Sequence, residues 1–149
     1  MSPLEALADA IQTFEGWHAG SRSWLNRNPG NLRAYASGQA VDKQGYRIFV
    51  SLAEGWQALL YDLKAKFHGS HGLTPETLGR APTIADLMNV YAPAGDSNNP
   101  RAYANFVASW TSRALGYTVL PTTTLEDFVI DPNLRNANSG VFGGPTEKS

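Results

Sequence analysis

The stretch SPLEALADAIQTFEGW, residues 2–17, decides how the chain begins to fold. Ser2 can cap a helix, Pro3 suits the first helical position, and Glu5 can reach back to the capping residue. Leu4, Leu7, Ala8, Ile11 and Phe14 follow at three- and four-residue spacing. That spacing predicts a helix over 3–15 with one apolar face, ended near Gly16. Glu15 therefore arrives at the end of an apolar helix, between Phe14 and Gly16-Trp17. A glutamate at a helix C-terminus is mildly unfavourable, by ~0.3–1 kcal/mol, because the helix dipole is negative there. On residue type alone, the ordinary outcome is a side chain that faces water. Held among apolar neighbours instead, a carboxyl group is poorly solvated as an anion. It can then keep its proton near neutral pH and pass it to a leaving oxygen.

Working outward, residues 17–50 change character. Asn28-Pro29-Gly30-Asn31 is dense in turn formers. Segments 32–35 and 46–50, with Gly38 and Gly45 between and around them, predict a small β-hairpin after an irregular loop. Ser51 and Glu54 repeat the capping signature, and Trp56, Leu59, Leu60, Leu63 and Phe67 line one face of a helix to about 68. Gly69 and Gly72 break it, and a helical turn is expected after Thr74-Pro75. Thr83 and Asp86 open another helix with Ile84, Leu87, Met88 and Tyr91 inward, stopped by Pro93. After a polar loop, Pro100 starts a helix whose Ala102, Tyr103, Phe106, Val107 and Trp110 share a face, with Gly116 as its stop. The pattern predicts a helix-dominated α+β domain over 1–132. Residues 133–149, rich in Asn, Gly, Ser and Pro, read as a flexible tail.

Composition narrows the function classes. A 149-residue chain with 42% hydrophobic and 17% charged residues can build one core. A net charge of -1 without a Lys/Arg cluster argues against a nucleic-acid partner. Cysteine is absent, which removes disulfides and thiol chemistry. No run approaches the ~18 apolar residues of a membrane span, and the N-terminus reads as having no signal peptide. His68 and His71 lack further ligands nearby, so no metal site is expected, and nothing calls for a cofactor. The oligomeric state is left open.

The ordered set 14–17 (FEGW), 28–33 (NPGNLR), 49–51 (FVS) with Gly55-Trp56, 83–84 (TI), 91–93 (YAP), Asn98-Asn99 and Tyr103 resembles lysozyme-like proteins of phages and bacteria, related to lytic transglycosylases and endolysins. No single piece is specific. The order is, and it covers about residues 8–117. The resemblance implies a lysozyme-like fold with the hairpin beside a cleft. It implies peptidoglycan glycan strands as the partner and cleavage of the MurNAc-β-1,4-GlcNAc bond with Glu15 as catalytic acid. It also implies a phage product, held in the host cytoplasm before release or carried on the virion, that acts on the cell wall.

Glycosidases generally use a second carboxylate, whereas lytic transglycosylases manage with one. Asp42 and Asp96 are the candidates, each equally explicable as turn chemistry, so hydrolase and transglycosylase both stay open. For substrate binding, Trp17, Tyr91 and Tyr103 are candidate cleft walls. Asn28, Asn31, Arg33 and Asn98 could bond acetamido groups or a lactyl carboxylate, and Arg33 could instead pair with Glu15. Asn28 and Asn31 are also explained by bonds to their own turn. Trp56, Phe67, Phe106 and Trp110 fall on helical stripes and read as core. The alternative function is a non-catalytic phage structural or wall-binding module.

Overall fold

The computed structural model describes residues 1–96 and 98–130, apart from the side chain of Asp96. The tail expected over 133–149 and the proposed role of Asp96 lie outside the described residues. Helices run in the order α1 (Pro3–Phe14), α2 (Arg22–Leu25), α3 (Leu52–Phe67), α4 (Pro75–Leu78), α5 (Ile84–Tyr91), α6 (Pro100–Leu115) and α7 (Leu125–Phe128). Single 3-10 turns lie at Ser70–Gly72 and Ala94–Asp96. The architecture is helix-dominated.

α1 forms as its caps dictate. The Glu5 amide donates to Ser2 Oγ at 3.2 Å, and the Ser2 amide donates to Glu5 Oε1 at 2.9 Å. Ala6, Leu7, Ala8, Ala10 and Ile11 are buried. The three alanines let α1 approach α6 closely, and α6 in turn packs on α5, so α6 is shared by both. The other face of α1 meets α3. Leu7, Ile11, Leu59, Leu63, Ile84, Leu87, Met88, Val107 and Phe128 are sealed from solvent in one core. Each such side chain contributes roughly 1.5–3 kcal/mol of burial free energy. Trp56, Phe67 and Trp110, expected in the core, pack at its edge with partial exposure, and Trp110 Nε1 donates to Asp9 at 2.9 Å. Beyond α6 the chain docks again. Leu125 donates to the Pro82 carbonyl, Ile84 to the Thr123 carbonyl, and Phe128 is buried.

The β-hairpin expected over 32–50 is not formed. Only isolated bridges join Arg33 to Tyr46 and Val41 to Arg47. The physical reason is competition from side chains for the backbone. Asn28 Nδ2 donates to the Leu32 and Arg47 carbonyls, and Gln39 Oε1 accepts from the Tyr35 and Ala36 amides. Asp42 Oδ1 accepts from the Gln44 and Tyr46 amides. Groups that a ladder would use are already bonded, and each pairing lasts a residue or two.

Close packing holds this loop against α3. A Cβ on Gly55 would strike the Arg27 carbonyl, so only glycine lets α3 lie on the 27–29 turn. Gly30 is similarly confined by Leu59 and the Tyr91 hydroxyl.

The start of α5 carries an ion pair. Asp86 completes a capping box with Thr83 and accepts from Arg80 at 2.5 and 2.8 Å. The Arg80 hydrogen bonds, helped by Thr83 and opposed by burial, lower the Asp86 carboxyl from 3.8 to about 2. The folded chain therefore binds this proton more weakly than the unfolded chain does. The contribution is complete above about pH 4 and is lost as pH falls toward 2. Because the Arg80 side chain is 58% exposed, solvent screening holds it to on the order of 1 kcal/mol. Thermal melts of the parent and Asp86→Asn are expected to differ at pH 6 and to converge near pH 2. A gap that does not change with pH would place the effect in the helix cap alone.

Candidate active-site cleft

α1 ends by delivering Glu15 as its C-cap residue, with φ -73° and ψ 0°. Gly16, at φ 79°, then turns the chain away. The half-buried Glu15 side chain lines a cleft of about 420 Å³ between the 30–35 loop with Tyr46, α3, and residues 90–93 with Asn98. Both carboxylate oxygens are held. Asn31 Nδ2 donates to Oε1 at 2.9 Å, and Tyr103 Oη donates to Oε2 at 2.6 Å. Asn31 sits at φ 48°, a left-handed conformation that asparagine tolerates, and this aims its amide back at α1. Its Oδ1 is buried without a partner among the described residues.

Tyr103 supports Glu15 from behind. It is 1% exposed, its ring stacks on Phe14 with centroids 4.0 Å apart, and Tyr91 meets it edge-on at 6.1 Å. Tyr91 Oη donates to the Gly30 carbonyl at 2.6 Å, tying α5 to the turn that carries Asn31. Burial pushes both hydroxyls well above the ordinary tyrosine range. For Tyr103 the neighbouring Tyr91 and Glu15 add to this, and for Tyr91 the charges of Glu15 and Asp62 do. Both phenols therefore remain protonated donors at any working pH.

Among the residues singled out in the sequence, the structure gathers Glu15, Asn31, Arg33, Tyr91 and Asn98 around the cleft. Arg33 does not pair with Glu15. It donates to the Gln44 carbonyl at 2.9 Å and to Tyr46 Oη at 3.2 Å, with its guanidinium 4.3 Å from the Tyr46 ring centroid. Tyr103 is a support, not a wall.

Asn28 belongs to the scaffold. It is fully buried, and its amide joins Leu32 to Arg47. Trp17 does not line the cleft. Nor does Asp42, whose carboxylate organises its own turn and accepts from Asn26 Nδ2 at 2.8 Å. Burial raises the Asp42 carboxyl, but the Asn26 side chain, the Tyr46 and Gln44 amides and the Arg22 charge outweigh it and leave it lowered.

Compared with protein-family models, with curated proteins and with solved structures, the chain matches none. Reading along the chain missed Asp62 and Lys66, which line the cleft from α3. Their signal was available: both fall on the stripe of Leu59 and Leu63, where charged residues are out of place. Tyr35, Tyr46 and His71 also line it.

Chemically, the cleft offers the Glu15 carboxyl group fixed in orientation, the Asp62–Lys66 pair, aromatic edges, and hydrogen-bonding groups of both kinds. Each Glu15 oxygen keeps a lone pair beyond its protein partner. A proton carried there can be passed to a group in the cleft. The Asn31 and Tyr103 donors would then stabilise the carboxylate left behind.

Proposed function

We propose that this chain cleaves glycan strands of peptidoglycan at the MurNAc-β-1,4-GlcNAc bond, with Glu15 as general acid. The observation that carries the reading is the two-point grip on Glu15, at 2.9 and 2.6 Å, at the wall of an open cleft. General acid catalysis needs a carboxyl group whose oxygen is held within reach of the leaving oxygen, and such a grip supplies that orientation. The ordered motifs that resemble lysozyme-like proteins support the same assignment. Glu15 protonates the glycosidic oxygen as its bond to the anomeric carbon breaks. Positive charge then develops at that carbon, and either water or the sugar's own 6-hydroxyl captures it, its released proton returning to the Glu15 carboxylate.

The cell wall as target, and a phage product as the source, rest on the resemblance. In the described residues no helix is long and apolar enough to cross a membrane. The second reading is a wall-binding module without chemistry, in which the same grip serves Glu15 only as a structural carboxylate. Mass spectrometry of digested peptidoglycan separates the readings. A 1,6-anhydromuramic product means transglycosylase and a reducing muramic acid means hydrolase. Intact strands that still bind the protein would overturn cleavage in favour of the module.

A further inference from the structure

Asp62 and Lys66 have no task in the chemistry above, yet their placement is costly. They stand one turn apart on α3, and Lys66 Nζ donates to both Asp62 oxygens at 2.7 Å. The Lys66 side chain is 7% exposed and that of Asp62 is 26% exposed. Taking such ions out of water carries a penalty their attraction often fails to recover, and apolar replacements of buried pairs are frequently neutral or stabilising. Stability does not account for a charged pair with Lys66 buried and Asp62 half-buried at the edge of a cleft.

What the pair presents to the cleft follows from its atoms. An ammonium has three N–H donors, and Asp62 takes two. The Tyr91 ring, 5.6 Å from Nζ, offers only its π face. Each Asp62 oxygen has a further lone pair, and Asp62 is the more open partner. The cleft therefore meets acceptors and one donor on a neutral pair, with the Glu15 carboxyl as a second acidic group among the described residues that line it. Such a surface suits uncharged hydrogen-bonding groups and repels a carboxylate. Arg33, exposed and prepositioned on Tyr46, brings a cation to the lining of the cleft.

We propose that the Asp62–Lys66 pair is a subsite for the hydroxyl and acetamido groups of a neutral amino sugar. It positions the strand against Glu15, while a carboxylate-bearing sugar is directed toward Arg33. The proposal rests on reading the cleft as a glycan site.

Binding tests it in a Glu15→Gln background, so that nothing is cleaved. Calorimetry would use a soluble, peptide-free peptidoglycan glycan strand, whose lactyl carboxylates are free, and a neutral chitin-type oligosaccharide. Adding Asp62→Leu with Lys66→Met is expected to leave the melting temperature equal or higher and to weaken both glycans at least tenfold. Adding Arg33→Gln is expected to weaken the peptidoglycan strand alone. In the cleaving enzyme the Asp62/Lys66 loss should fall on KM more than on kcat.

Binding within twofold of the Glu15→Gln parent would overturn the subsite and leave the Glu15 reading standing. An Arg33 effect equal on both glycans would overturn the polarity. A Glu15→Gln parent that binds neither glycan would overturn the subsite and the glycan reading together. If the apolar pair fails to melt cooperatively, Asp62→Asn alone carries the same tenfold criterion.

Discussion

Replacing Glu15 with glutamine is expected to lower cleavage of purified cell walls by about 10²–10⁴-fold, the range that general acid catalysis contributes. The amide matches the carboxylate in size but has no acidic proton to give. The fold is expected to survive, with stability changed by less than ~1 kcal/mol, and the structure shows why. The glutamine side chain could accept from Tyr103 through its oxygen. A half-turn of the Asn31 amide would bring the unpartnered Asn31 Oδ1 to accept from the new N–H. Tyr103→Phe, which removes the 2.6 Å donor and nothing else, is expected to cost roughly tenfold, about one charge-assisted hydrogen bond. Asp42 does not line the cleft, and Asp42→Asn keeps an oxygen for the Gln44 and Tyr46 amides, so it is expected to keep activity near that of the parent. Wall turbidity assays with circular dichroism on each variant check these outcomes. A folded Glu15→Gln protein that clears walls at the parental rate would remove the mechanism.

The largest stability effect is expected at Asn28. Its side chain is fully buried and makes three hydrogen bonds at 2.9 Å: to the Leu32 and Arg47 carbonyls, and from the Leu32 amide. Asn28→Ala would leave the Leu32 amide and the Arg47 carbonyl without this partner, while the Leu32 carbonyl keeps the Arg47 amide at 2.9 Å. At about 1–3 kcal/mol for each buried group left unsatisfied, a loss of roughly 3–5 kcal/mol is expected once partial relaxation is allowed for. The damage should reach the cleft, because this turn presents Asn31 to Glu15 and Gly30 to Tyr91. Urea unfolding would register it as a lower midpoint with an unchanged slope. A loss below about 1 kcal/mol would show that the loop re-forms without its central amide.

Much of the helical framework was legible along the chain. Ser2, Ser51, Thr83 and Asn99 each cap a helix by accepting from an amide three residues on. These contacts span single turns, so residue order alone specifies them. Gly116, at φ 79°, ends α6 for an equally local reason. Glu15 at the end of α1 follows from the same logic. The loop over 32–50 was not legible, because alternation of residue types predicts strands only when the backbone is free to pair. Here Asn28, Gln39 and Asp42 take its donors and acceptors first. The docking of Phe128 against Phe67, centroids 5.9 Å apart, was equally hidden, since α7 is too short to show a period.

The cleft itself is a product of distance in sequence. Tyr103 reaches Glu15 across 88 residues, Tyr91 reaches Gly30 across 61, and Asn31 reaches Glu15 across 16. No periodicity encodes such meetings, which arise when α6 and α5 pack and bring their tyrosines to the end of α1. Burial of Asp62 and Lys66 has the same origin, because solvation is set by neighbours from other elements and not by residue type. Local capping and spacing thus determined which segments are helices and where Glu15 stands. Only tertiary packing decided what holds its carboxylate, which charges share its cleft, and that Asp42 does not.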